Sequence, residues 1–161
     1  MEKNWQIGVV IRATSGFYYV QSGTRQVSCK LRGRLKQTRY SLCVGDRVTF
    51  SPAGTDEGNI EEVLPRDSFL KRPEGANVDQ AILTFAASQP QINWGLLDRF
   101  LVLAEYSGIP AVICVNKLDM ADPEELKPFL DVYERIGYPV LQVSAKTGDG
   151  IHTLQQRLYG K

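Results

Sequence analysis

The first half of the chain alternates between apolar and polar positions with a period of two. Such runs, rich in Val, Ile, Tyr and Thr, cover Gln6 to Ala13, Gly16 to Gln21, Gln26 to Arg32, Asp46 to Phe50 and Gly58 to Leu64, and turn residues (Gly, Ser, Asp, Pro) separate them. Five short strands in that span predict a small closed barrel of the OB type. Val44-Gly45-Asp46-Arg47-Val48 reads as the tight approach to a barrel strand. Beyond residue 75 the period changes. Val78 to Ala87 reads as an apolar strand. Trp94 to Tyr106 reads as a helix with Leu97, Phe100, Leu101 and Ala104 on one face, and Ile109 to Val115 as a continuous apolar strand buried on both sides. Asp122-Pro123-Glu124-Glu125 supplies an N-cap, an N1 proline and a capping-box acid, with Leu126, Phe129, Leu130, Tyr133 and Ile136 at helical spacing and Gly137 as the stop. Pro128 inside this helix predicts a bend or a delayed start. Tyr138 to Val143 is a further short strand, and Ile151 to Tyr159 a further helix. Strand and helix in alternation predict a parallel sheet. The fold class is therefore an all-β OB-fold barrel over residues 1–65, a link over 66–75, and an α/β part over 76–161.

The chemistry sits where two of these strands end. The strand Ile109 to Val115 runs into Asn116-Lys117-Leu118-Asp119, and Ser144-Ala145-Lys146 begins 25 residues after Asp119, at the end of the next strand. The C-terminal ends of parallel strands are where open α/β sheets hold ligands. A carboxylate at Asp119 can accept two hydrogen bonds from the N1–H and exocyclic amine of guanine, a donor pair adenine does not present. Asn116 would tie the loop and reach the far edge of the base. The stem of Lys117 would cover one ring face while its ammonium stays wet, and Lys146 would cover the other. The backbone N–H of Ala145 would point at guanine O6, and Ser144 would orient Asp119. No Ser-His-Asp or Cys-His arrangement is visible, so the catalytic set expected within this chain is empty.

Composition changes the picture in three ways. No run of about 18 apolar residues suggests a membrane span and no signal-peptide core follows Met1, so a cytoplasmic protein is expected. Cys29, Cys43 and Cys114 form no C-x-x-C and lie on apolar segments, and the single His152 has no ligand-spaced partner, so neither a disulfide framework nor a metal site is expected. The formal charge of +1 hides an asymmetry: residues 1–75 hold twelve Lys/Arg and eight Asp/Glu, residues 76–161 seven and ten. Arg25, Lys30, Arg32, Arg34, Lys36, Arg39 and Arg47 cluster on or beside the third strand and its following loop, with Asp46 the one acid opposing them. With Phe17, Tyr18, Tyr19 and Tyr40 interleaved, this stretch is a candidate RNA surface, although strand alternation turns at least one of Phe17, Tyr18 and Tyr19 inward.

An OB-like barrel followed by Ala76-Asn77-Val78-Asp79-Gln80, Leu97-Asp98-Arg99-Phe100-Leu101, Asn116-Lys117-Leu118-Asp119 and Val143-Ser144-Ala145-Lys146-Thr147-Gly148 resembles the RsgA (YjeQ) family over essentially the whole chain. That family comprises circularly permuted GTPases that assist late maturation of the small ribosomal subunit. The resemblance implies that residues 76–161 are the first part of a permuted P-loop GTPase-like α/β domain, with GTP or GDP as ligand and the small ribosomal subunit and its rRNA as partners. It also implies a Gly-x-x-x-x-Gly-Lys-Ser/Thr loop, switch regions and a zinc domain after the second motif, none of which this sequence contains; Gly160-Lys161 is preceded by Gln155 where such a loop needs glycine. Mg²⁺ and Zn²⁺ are expected only with those segments, and the chain alone is expected to be inactive in hydrolysis. The strand Val78 to Ala87 is expected at an exposed sheet edge that favours self-association. The alternative reading is a non-catalytic RNA-binding barrel with a vestigial nucleotide domain.

Overall fold

A computed structural model describes residues 4–36 and 41–160, the side chains of Arg34 and Lys36 excepted. The chain forms two compact units, the first ending at Val78 and the second beginning at Asp79.

In the first unit, β1 (Gln6–Thr14), β2 (Phe17–Ser22), β3 (Arg25–Leu31), β4 (Arg47–Pro52) and β5 (Glu57–Val63) close into a barrel of order β1-β2-β3-β5-β4, with a four-residue helix α1 (Gly33–Lys36) after β3. All pairings are antiparallel except β3 with β5, the arrangement of an OB fold. Alternation does the work that the sequence predicts. Val10, Val20, Val27, Cys29, Val48, Phe50 and Ile60 point inward and are buried, joined by Leu42. Each such side chain contributes about 1.5–3 kcal/mol of burial.

Residues 66–75, expected as a link, are instead woven into this unit. β6 (Phe69–Lys71) and β7 (Glu74–Ala76) form a hairpin. The N–H of Ala76 donates to Val44 O at 2.9 Å, and Asn77 Nδ2 donates to Gly45 O at 2.9 Å. Gly45 has φ +91°, and a Cβ there would lie 1.9 Å from Ala76 O, so backbone meets backbone where only glycine fits. Arg66 completes the attachment. Its Nε donates to Asp46 Oδ1 at 2.7 Å and its second guanidinium nitrogen to Asp46 Oδ2 at 2.8 Å and Ser41 O at 2.8 Å. Asp46 is completely buried, and its Oδ2 also accepts from Cys43 N at 2.8 Å.

The second unit is a parallel sheet of order β10-β9-β8, from β8 (Ala81–Ala86), β9 (Ala111–Asn116) and β10 (Val140–Gln142), with helices α2 (Trp94–Tyr106), α3 (Pro123–Arg135) and α4 (Ile151–Leu158). Ala111 through Val115 are all buried, as a continuous apolar run requires of a central parallel strand. α2 buries Leu97, Leu101 and Ala104; Phe100, expected on that face, is 40% exposed and lies on its flank, 6.3 Å from the Phe85 ring. α3 starts at Pro123 with no delay, Asp122 Oδ1 accepting from Glu124 N at 2.9 Å. Pro128 sits inside it on the exposed side, and the carbonyl deprived of a donor belongs to Glu124, an exposed residue of the first turn. β8 is one edge of the described sheet.

Candidate functional site

β9 ends at Asn116, and the chain then turns through Lys117, whose φ of +66° is left-handed. Asn116 Oδ1 holds that turn by accepting from Lys117 N at 2.7 Å. It also accepts from Ala145 N at 3.0 Å, so one side-chain oxygen joins the loops after β9 and β10. Lys117 Nζ donates to Gln89 O at 2.7 Å in the loop after β8, which fixes the direction of its stem. A 3-10 turn, Leu118–Met120, then presents Asp119.

The second loop is folded on itself. Ser144 is 1% exposed; its N–H donates to Asp149 O at 2.9 Å, and its carbonyl accepts from Gly148 N at 2.8 Å. The Ser144 hydroxyl donates to Asp119 Oδ1 at 2.7 Å and accepts from Thr147 N at 3.2 Å. Lys146 Nζ stands 3.6 Å from Asp119 Oδ2. The Ser144 hydrogen bond, with smaller help from the backbone and from Lys146, holds the Asp119 carboxyl below the usual carboxylate range against a smaller opposing effect of desolvation.

All six residues of the two motifs are thus assembled in one place. Their engagements differ in detail from the expectation. The Ala145 N–H, expected to meet a base oxygen, is taken by Asn116 Oδ1, and Lys146, expected over a ring face, pairs with the Asp119 carboxylate. A carboxylate has about four acceptor positions; with Ser144 on Oδ1 and Lys146 facing Oδ2, Asp119 keeps capacity for about two more donors. With Asn116 Oδ1 committed to the backbone, its amide NH₂ is the group left to reach a ligand.

On the barrel the basic residues are more occupied than their spacing suggests. One guanidinium nitrogen of Arg32 donates to both carboxylate oxygens of Glu61, at 2.5 and 2.7 Å. Arg25 donates to Thr55 O, and Arg47 to Asp67 and Asn77. The expectation that Asp46 alone opposes this cluster is therefore corrected: Glu61 and Asp67 do so, while Asp46 serves Arg66. Lys30 lies over the Phe17 ring at 5.0 Å from its centroid. Arg34 and Lys36 lie outside the described side chains and Arg39 outside the described residues. Arg12, absent from the sequence-based set, stands 5.1 Å over the Tyr19 ring. Tyr18 is the inward member of the aromatic trio, packed against the barrel core.

All three cysteines are free and buried, and burial pushes the Cys29 thiol up to about 11. Among the described residues no group of three or more His, Cys, Asp or Glu is placed to hold a metal ion, and no helix is long and apolar enough to cross a membrane.

An OB barrel leading into a parallel α/β unit, with the Asn116–Asp119 and Ser144–Lys146 loops at the ends of its second and third strands and no phosphate loop before them, defines the class of circularly permuted GTPases. The chain belongs to the RsgA family: residues 7–60 match the RsgA N-terminal domain and residues 63–161 the RsgA GTPase. It is 42% identical over 154 residues to the small ribosomal subunit biogenesis GTPase RsgA of Caldanaerobacter subterraneus subsp. tengcongensis, covering 96% of this chain and 52% of that protein. Against the Bacillus cereus protein of the same name it is 42% identical over 156 residues, covering 95% and 53%. The crystal structure of YjeQ from Thermotoga maritima superposes with a TM-score of 0.86 at 37% identity, covering 98% of this chain and 58% of that one. YloQ, a circularly permuted GTPase, gives 0.81 at 34% identity with the same coverage. The chain spans about half the length of the curated relatives it matches.

Proposed function

We propose that this chain carries the RNA-docking and base-selecting parts of a GTPase acting in late assembly of the small ribosomal subunit. The barrel docks on ribosomal RNA, and the loops at Asn116–Asp119 and Ser144–Lys146 select guanine in GTP and GDP. The observation that carries the base-selecting role is the stitch between the loops: Asn116 Oδ1 bound to Ala145 N, and the Ser144 hydroxyl bound to Asp119. It preorganises the carboxylate as an acceptor, the chemistry a guanine N1–H and amine require. A cytoplasmic setting belongs to the same proposal.

Hydrolysis needs backbone N–H groups around the phosphates, a lysine on them and a hydroxyl on Mg²⁺. The sequence contains no Gly-x-x-x-x-Gly-Lys-Ser/Thr, so this chain alone recognises the base without turnover. Mg²⁺ and Zn²⁺ go with the family's further segments. Base contacts alone give an affinity on the order of millimolar. Titration of GMP followed by amide NMR should shift Lys117, Ala145 and Lys146 saturably, whereas AMP leaves them in place. Equal response to AMP, or submicromolar GDP binding, would remove the proposal.

β8 presents an unpaired edge with Ile82, Leu83 and Phe85 half-buried. Open parallel edges template further strands, so copies of this chain should associate. Sedimentation velocity should show a mean mass that rises with concentration; a concentration-independent monomer would contradict it.

A further inference from the structure

The outer face of β1–β3 is built in a way that simple alternation would not produce. Val10 pairs with Val20 facing inward, so Arg12 two residues later should also face inward. A bulge between Val10 and Arg12 inserts Ile11 and resets the phase, and Arg12 pairs instead with Tyr19 on the outside. The continuing register places Tyr19 beside Ser28 and Phe17 beside Lys30. The result is two adjacent rows, Arg12 with Tyr19 and Phe17 with Lys30, each an aromatic ring with a cation about 5 Å from its centroid. Phe17 is 40% exposed although it is wholly apolar. The two rings, separated by one residue on β2, are about 6.6 Å apart along the strand, and a base settling on either ring displaces the long, flexible cation over it toward the flanking phosphate.

We propose that this face is a stacking platform for two unpaired RNA bases, with Phe17 and Tyr19 beneath the bases and Arg12 and Lys30 on the flanking phosphates. The inference rests on the reading of the barrel as an RNA-binding domain and names the form of RNA it takes. An A-form duplex keeps its bases stacked inside and offers backbone and 2′-hydroxyls, for which an exposed phenylalanine has no use; unpaired bases stack on aromatic rings. At each ring the near neighbour is a cation, the pairing that suits a base and its phosphate. The exposed Ile7, Val9 and Ile11 of β1 flank the platform, and Glu57, opposite Ser28 on β5, bounds it on the other side. The four platform residues are largely distinct from the seven expected from charge clustering; Lys30 is common to both.

The test is fluorescence anisotropy of the whole chain with a labelled unstructured oligouridylate and a labelled RNA duplex, each over a range of salt. Phe17→Ala and Tyr19→Ala should each weaken single-strand binding about 5- to 100-fold and leave duplex binding unchanged. Tyr19→Phe should retain binding, since the ring persists. Arg12→Ala and Lys30→Ala should each make the log–log salt slope for the single strand shallower by about 0.7. Circular dichroism checks that these surface variants remain folded. Salt-dependent single-strand binding that ignores both aromatic substitutions would overturn the platform and leave the RNA reading standing. Absence of binding to either RNA at low salt would overturn both. Phe17→Ala that abolishes association between copies without touching RNA binding would assign the face to a protein contact.

Discussion

An Arg66→Met variant should lose about 3–5 kcal/mol of stability in the first unit, the scale expected when one partner of a buried ion pair is removed. Asp46 is fully buried and makes three of its contacts to charged or backbone N–H donors from Arg66 and Cys43. With the guanidinium gone, two oxygens that bound it face protein instead of water. The loss should spread, because the chain around Asp46 is part of the barrel seam: Val10 N donates to Asp46 O and Gly45 N to Val10 O. Amide hydrogen exchange at Val10 and Val48 reads the effect directly. Acceleration by two orders of magnitude or more is expected, with Val112 and Ile113 of the second unit unaffected. Unchanged protection at Val10 would mean that the ion pair does not hold the barrel. The double variant Asp46→Leu, Arg66→Met should recover part of the loss, since an apolar pair leaves no uncompensated charge.

Asp119→Ala should abolish the amide response to GMP while leaving the fold intact. Two hydrogen bonds to a charged acceptor contribute about 1.5–3 kcal/mol each, so their joint loss is more than about a hundredfold and pushes a millimolar site out of measurable range. Asp119→Asn should respond to xanthosine monophosphate in preference to GMP, because an amide can donate to the 2-oxo group that replaces the guanine amine. A GMP response that survives either change would take Asp119 out of its assigned role. Acidification gives a gentler probe. The Asp119 carboxyl is held low chiefly by the Ser144 hydroxyl, so the acceptor form is present above that lowered value and is lost only as the pH falls through it. The GMP response should therefore stay flat from about pH 7 to about pH 5, below which ordinary carboxylates begin to take up protons.

What could be read from the sequence was whatever depends on near neighbours. The five barrel strands follow from alternation, and their observed ends differ from expectation by a residue or two. The Asn116 and Ser144 motifs were legible because each follows an apolar strand, and parallel strands deliver their ends to one side of a sheet. Long-range pairings were not. Arg32 meets Glu61 29 residues away and Arg47 meets Asp67 20 residues away, so a tally of charges along the third strand overstated how many are available to a ligand. The hairpin at 69–76 escaped because its three-residue strands carry little pattern and are held by the loop at Val44 and Gly45. Arg12 escaped because a bulge has no signature in a two-residue period. Phe100 matched the helical stripe, yet Leu97, Leu101 and Ala104 already fill the face that packs inward.

The stitched loops bear on how this architecture tolerates rearrangement of its gene. The side-chain hydrogen bonds that hold the two motif loops join positions between Gln89 and Thr147, and the backbone of Asn116 is tied back to Ala87. On the proposed reading, the guanine-selecting loops are thus held chiefly by contacts within one stretch of the chain. A rearrangement of the coding sequence that keeps this stretch intact should therefore leave the proposed base choice untouched.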